Sequence, residues 1–318
     1  MKTKIPFYSM AALAGLAIAL PAAVTARPLP FWNVATPVVE VNTLSTEGCP
    51  IESWDGLSIY IASNRPGSLG VPGPTGALPN DIWAADRASK DEPFGELQNL
   101  GAPVNSEAAD FCPTPIHGSY LLFVSERPGP ETCGAGPGLG DIYMIRRNAA
   151  FGWGEPEHLG CAENGGPNTT GAEFSPSLVK THAGTFLYFS STVSGNMDVY
   201  MSRHGSDGRF GTPVPVTELN TEFDDRMPNV TADGREVVFS SNRPVDANGT
   251  PGLGSFDVYV STRASTRDPW SVPVNLGPNV NTPGSETRST ISRDLKRLYF
   301  GRDGEIYSAR RTRPPRTQ

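Results

Sequence analysis

Asn220-Thr221-Glu222-Phe223-Asp224-Asp225-Arg226-Met227-Pro228 decides the fold, together with two segments downstream of it: Val237-Val238-Phe239-Ser240-Ser241-Asn242-Arg243-Pro244, then Asp257-Val258-Tyr259. Its skeleton is Asn, then Thr or Ser, three residues, an acid, two residues and usually Pro. The same skeleton occurs at Asn42-Thr43 with Glu47 and Pro50, and at Asn105-Ser106 with Asp110 and Pro113. It returns at Asn168-Thr169 with Glu173 and Pro176, and finally at Asn281-Thr282 with Glu286, where Ser289 stands in place of Pro. The acids lie 63, 63, 52 and 61 residues apart, which is the mark of an internal repeat.

Each acid is followed by the same elements. A short strand leads to a turn such as Trp54-Asp55-Gly56 or Ala232-Asp233-Gly234, and then to an apolar aromatic strand such as Leu121-Leu122-Phe123-Val124 or Leu298-Tyr299-Phe300. Three of these aromatic strands end in Arg-Pro, at Arg65, Arg127 and Arg243; in the third repeat Thr192 is matched to the arginine. Asp81-Ile82-Trp83, Asp141-Ile142-Tyr143, Asp198-Val199-Tyr200, Asp257-Val258-Tyr259 and Glu305-Ile306-Tyr307 open a third strand. An aromatic (Phe94, Trp153, Phe210 or Trp270) opens a fourth. Alternating apolar positions between turns are strand signals.

Four short strands per repeat of about 60 residues is the pattern of a propeller blade. The fifth repeat stops after Arg311 without its fourth strand, while Phe31-Trp32…Pro37-Val38…Val41-Asn42 is a fourth-strand unit with no repeat before it. Joining the two satisfies both orphan edges, which would otherwise be a liability. The expected fold is an all-β, five-bladed β-propeller of four-stranded antiparallel blades, closed by the N-terminal strand. The expected organisation is a signal peptide over 1–26 and one propeller domain over 27–318. Its blades fall near 44–104, 105–167, 168–219, 220–280 and 281–311 plus 31–43. Composition agrees: 34 Gly and 31 Pro in 318 residues, scattered throughout, disfavour long helices.

The motifs Phe239 to Pro244, Phe256 to Ser261 and Trp270 to Thr282 resemble the WD40-like PD40 repeat of the TolB β-propeller family, over essentially residues 31 to 311. The resemblance implies a periplasmic or secreted binding platform. TolB itself has six blades and a second domain, so its partner contacts do not transfer. Related propeller repeats also occur in peptidases and polysaccharide-active enzymes.

Lys2 and Lys4, the apolar stretch Met10 to Leu20 and Val24-Thr25-Ala26 before Arg27 read as an export signal, too short for a membrane anchor. Its removal leaves 24 basic against 33 acidic residues, a formal charge of −9. That acidity argues against nucleic acid and anionic membrane as partners. Export permits disulfides. Of the three pairings open to four cysteines, Cys49–Cys112 and Cys133–Cys161 is preferred, because the first two occupy equivalent repeat positions and the others lie in loops of one repeat.

Glu47, Asp110, Glu173, Asp225 and Glu286 are the candidate ligand-binding residues. If each starts an innermost strand, they ring one mouth of the channel and offer a site for a cation or a hydroxyl-rich ligand. The alternative is that each caps its own blade turn. Arg65, Arg127 and Arg243 are expected to pair with Asp81, Asp141 and Asp257 within each blade. No catalytic residue, metal site or cofactor is assigned: there is no Gly-x-Ser-x-Gly elbow, and His117, His158, His182 and His204 lack a repeated partner. Asp246-Ala247-Asn248-Gly249 has only part of a calcium-loop pattern. The long Gly/Pro-rich loops Gly67 to Asn80, Gly129 to Gly140 and Val245 to Ser255 should share the face of the acids.

The leading expectation is a monomeric, non-catalytic exported propeller. It would bind an envelope or extracellular protein, or a cell-envelope glycan, on that face. The rival is a carbohydrate-active or other hydrolytic enzyme using the mouth carboxylates. Its mark would be inequality among the five acids, with Glu173 or Glu286 the residue to neutralise.

Overall fold

The computed structural model describes residues 29–116, 119–128, 133, 139–148, 150 and 152–312. The proposed signal segment, His117 and most of the loop from Gly129 to Gly140 lie outside them. Five antiparallel sheets form the blades of a β-propeller. Each repeat acid is the first residue of an innermost strand: Glu47–Glu52, Asp110–Ile116, Glu173–Thr181, Asp225–Val230 and Glu286–Ile291. Neighbouring innermost strands pack around the ring, and that of blade five returns to blade one. The ring closes as the sequence predicts. Phe31 and Trp32 pair with Thr312 and Arg311, and Thr36 and Pro37 with Ser308 and Tyr307, on the third strand of blade five.

The repeat Asn, which sequence reading left without a role, staples each blade to the one before it. Asn105 accepts the Ile82 N–H and donates to the Ile82 carbonyl, both at 2.9 Å. Asn168 does the same to Ile142, Asn220 to Val199, Asn281 to Val258 and Asn42 to Ile306. An Asn amide mimics a peptide group here, satisfying backbone that would otherwise be buried unpaired. Between blades, apolar strand faces form the core: Phe123, Phe189, Phe239 and Phe300 are fully buried.

Two residues after each acid the innermost strand bulges. Cys49, Cys112, Ser175, Met227 and Arg288 all adopt left-handed backbone, with φ from 48° to 58°. The bulge re-aims these side chains toward the axis. The Cys49–Cys112 disulfide ties the innermost strands of blades one and two, and Cys133–Cys161 forms in blade two, so both preferred pairings are present.

Candidate functional site

The five acids do sit at one end of the channel, but they face inward to the blade. All are at most 1% exposed. The Thr or Ser four residues earlier donates its hydroxyl to each: Thr43 to Glu47 at 2.6 Å, Ser106 to Asp110 at 2.8 Å, Thr221 to Asp225 at 2.7 Å and Thr282 to Glu286 at 2.6 Å. In these four blades the backbone N–H of the same residue holds the carboxylate too. A guanidinium then closes the cage. Arg65 meets Glu47 at 3.0 Å, Arg127 meets Asp110 at 2.7 Å, and Arg243 meets Asp225. The expected pairing of these arginines with Asp81, Asp141 and Asp257 is therefore corrected: the arginine turns back to the repeat acid across the first hairpin. It also lies over the third-strand aromatic, 4.9 Å from the ring centroid for Arg243 and Tyr259. Asp81 is held instead by the Leu69 N–H and Asn99, Asp257 by Leu253 and Asn275, and Asp141 by His158.

Blade five obtains its guanidinium differently. Arg302 stands where the other blades carry Ser63, Ser125, Ser191 and Ser241 in register with the acid, and its Nε reaches Glu286 at 2.7 Å. The sequence motif Ser-x-Arg does not reveal it.

Blade three has no such cation. Val193, not Thr192, occupies the arginine position. Its N–H bonds to Ser191 Oγ at 3.2 Å, as those of Arg65, Arg127 and Arg243 bond to their serines. Thr192 instead corresponds to Asn64 and Asn242, accepting the Ala172 N–H as those accept Thr46 and Asp224. Counting from the strand-end serine would have placed both correctly. Glu173 Oε1 accepts from Thr169 at 2.5 Å and Ser191 at 2.9 Å, whereas Oε2 is buried with no hydrogen-bond partner among the described residues. Burial raises this carboxyl to a pKa of about 8. The Thr169 and Ser191 hydroxyls and the nearby Thr169 amide draw it the other way, although the amide falls short of hydrogen-bond geometry to Oε2. Glu286 is also raised by burial, opposed by Thr282 and Arg302.

Two other places invite a ligand. Cys133, Asp141 and His158 offer atoms within 4.8 Å of one another, but the sulfur is committed to a disulfide and is no thiolate ligand. Asp246 accepts backbone N–H groups from Asn248, Thr250 and Asn275, which fill the oxygens a calcium ion would need. A cleft of about 640 Å³ between blades two and three is lined by Tyr120, Lys180, His204, Arg209 and Phe210. It reaches Ile116 and Lys180, toward the strand ends remote from the acids, and among the described residues its only carboxyl is Glu157, so it offers no pair of carboxyls.

The chain matches no family model and no curated protein. Among solved structures it is similar to the α-L-arabinofuranosidase from Podospora anserina in complex with cellotriose. That match has a TM-score of 0.55 and 13% identity, over 90% of this chain and 98% of that one. It is similar as well to the endo-arabinase from Bacteroides thetaiotaomicron, with a TM-score of 0.52 and 12% identity over 90% and 99% of the two chains. A putative TolB from Agrobacterium tumefaciens matches at a TM-score of 0.44 and 13% identity, over 91% and 100%. At these identities the likeness is one of fold. The expectation of a non-catalytic binder is nevertheless corrected: it rested on equal repeats, on the absence of a recognisable catalytic constellation and on a TolB resemblance. The acids are unequal, and the arabinofuranosidase and the endo-arabinase, which share the fold at TM-scores above 0.5, are glycan-cleaving enzymes.

Proposed function

We propose that this protein is an exported hydrolase of neutral oligo- or polysaccharides, acting at the acid-bearing mouth of the propeller with Glu173 as proton donor. The observation that carries the reading is the missing guanidinium in blade three. It leaves one of five repeat carboxyls protonated to about pH 8, while Asp110 and Asp225, on the two adjacent blades, lie against arginines. Glycoside hydrolysis needs two carboxyls whose surroundings push their roles apart.

In the proposed reaction Glu173 gives its proton to the glycosidic oxygen as the C–O bond breaks. A water adds to the anomeric carbon and passes its proton to Asp110 or Asp225. Glu173, Asp110 and Asp225 are all buried, so the reaction as proposed requires that glycan binding expose them. Two disulfides fit an oxidising compartment, and none of the described helices is long and apolar enough to cross a membrane. We read the repeats as PD40-like blades adapted to this chemistry.

The test is release of reducing sugar from a panel of arabinans, xylans and glucans by the wild type, Glu173→Gln and Val193→Arg. Turnover by the wild type that falls at least 100-fold in both variants supports the reading. A wild type inert across the panel, or full turnover by Glu173→Gln, overturns it.

A further inference from the structure

The cleft between blades two and three is lined by two facing rows of side chains, at the strand ends opposite the acids. On blade three Lys180 is in register with Thr185, the Thr185 carbonyl accepts the His204 N–H at 2.9 Å, and His204 is bridged to Phe210. Successive strand residues face opposite ways. Val179 turns to the core shared with blade four, so Leu178 and Lys180 turn to blade two, where Leu178 joins the cluster of Leu122 and Phe210. On blade two Ile116 is in register with Tyr120, and Tyr120 with Arg146, whose guanidinium lies 5.6 Å from the Tyr120 ring centroid. Six or seven extended residues separate these rows from the acids along Asp110–Ile116 and Glu173–Thr181, a distance of roughly 20 Å.

The cleft's volume of about 640 Å³ lies within the range of sites for small organic ligands. Its floor is apolar. Ile116, Met144, Leu159 and Leu178 pack against the core between the blades, and Phe210 is buried with the His204 ring edge-on to it at 5.0 Å. Its rim is basic. Lys180 and Arg209 line it, both are exposed, and neither has an ion pair among the described residues. Against them stands one carboxyl among the described residues, that of Glu157. The whole chain carries 33 acidic and 26 basic residues, so the charge balance of the cleft is opposite to that of the protein.

We propose that this cleft binds an aromatic carboxylate, its ring on the apolar floor beside Phe210 and Tyr120 and its carboxylate at the rim against Lys180 and Arg209. The ring displaces water from the floor, and aromatic neighbours add contacts of their own. The carboxylate accepts from an ammonium and a guanidinium, and such charge-assisted bonds are stronger than neutral ones. An inorganic anion makes no use of the floor, and a neutral sugar makes none of the two cations. An organic cation meets two positive charges against one negative. The site is remote from Glu173, so it takes its ligand whether or not the mouth hydrolyses glycan.

The probe is 2-naphthoate, titrated calorimetrically into the full chain at neutral pH and low salt, with 2-naphthamide as its uncharged counterpart. Saturable binding of the naphthoate is expected, with the amide at least about 10-fold weaker. The double variant Lys180→Met, Arg209→Met should lose at least about 10-fold in affinity for the naphthoate and leave that for the amide unchanged. Both side chains are exposed and without ion pairs among the described residues, so the variant keeps the fold. Absence of saturable binding at any soluble concentration of naphthoate overturns the proposal. Equal affinity for acid and amide overturns it too, as does full naphthoate affinity in the double variant.

Discussion

Glu173 and Glu47 begin the same strand in two blades and accept from the equivalent Thr and Ser, yet Val193 stands at the position from which Arg65 pairs with Glu47. Buried without that guanidinium, the Glu173 carboxyl is raised, which yields two predictions. The folded pKa of about 8 lies above the ordinary carboxyl value near 4.5, so the folded state binds the proton more tightly. The contribution of Glu173 to stability is therefore complete below about pH 4.5. It is lost as pH rises through about 8, by on the order of 3–5 kcal/mol at most. Glu286 acts with the same sign, since burial raises it too. Glu173→Gln should flatten the fall in Tm between pH 5 and 9, and parallel wild-type and variant curves would refute the raised pKa. Val193→Arg should rebuild the cage of the other blades and lower the Glu173 pKa. A carboxyl resonance titrating near 8 in the wild type, read by NMR with labelled Glu, should then move to lower pH.

The strands themselves were legible because each repeat carries its own turn chemistry. Asp55-Gly56 and Asp233-Gly234 place Gly at φ 72° and 69°, where a side chain would be strained, and the Asp accepts the N–H two residues on. The acid, Asn and aromatic positions were equally visible, as was the strand that closes the ring. The arginine network was not. Arg302 reaches its acid from the Ser position, and Val193 hides beside a Thr that imitates Asn64, so contacts across a hairpin decided what spacing could not. The pairing of arginine with acid also crosses 18 residues, from Arg65 to Glu47, a distance at which periodicity is silent.

Closure at this scale is testable. Trp32 is 2% exposed in the cluster of Val258, Leu298 and Phe300, with Arg311 over its ring at 4.8 Å. Trp32→Ala should cost about 3–5 kcal/mol by chemical denaturation and promote association through the uncovered edge of Glu305–Thr312. Replacing Cys49 and Cys112 by Ser removes a link between strands 63 residues apart and should cost about 2–4 kcal/mol. Loss of less than about 0.5 kcal/mol in either variant would mean that the ring does not depend on that link.

Over the whole molecule, a ring of near-identical blades puts a caged acid around one mouth in four blades, and the proposed function rests on the blade that breaks the rule. Blade three breaks it at Val193 and frees a carboxyl; blade five breaks it at Arg288 and Ser289 and charges the centre. The Asn staples, the ring-closing strand and the disulfides keep these departures in fixed positions relative to one another. The most direct test of the central claim is the pH profile of kcat/KM on whichever glycan of the panel the wild type cleaves. The profile should fall as pH rises through about 8, where Glu173 gives up its proton. Glu173→Gln should lose at least 100-fold at every pH. An unchanged alkaline limb in Glu173→Gln, with activity retained, would contradict the account.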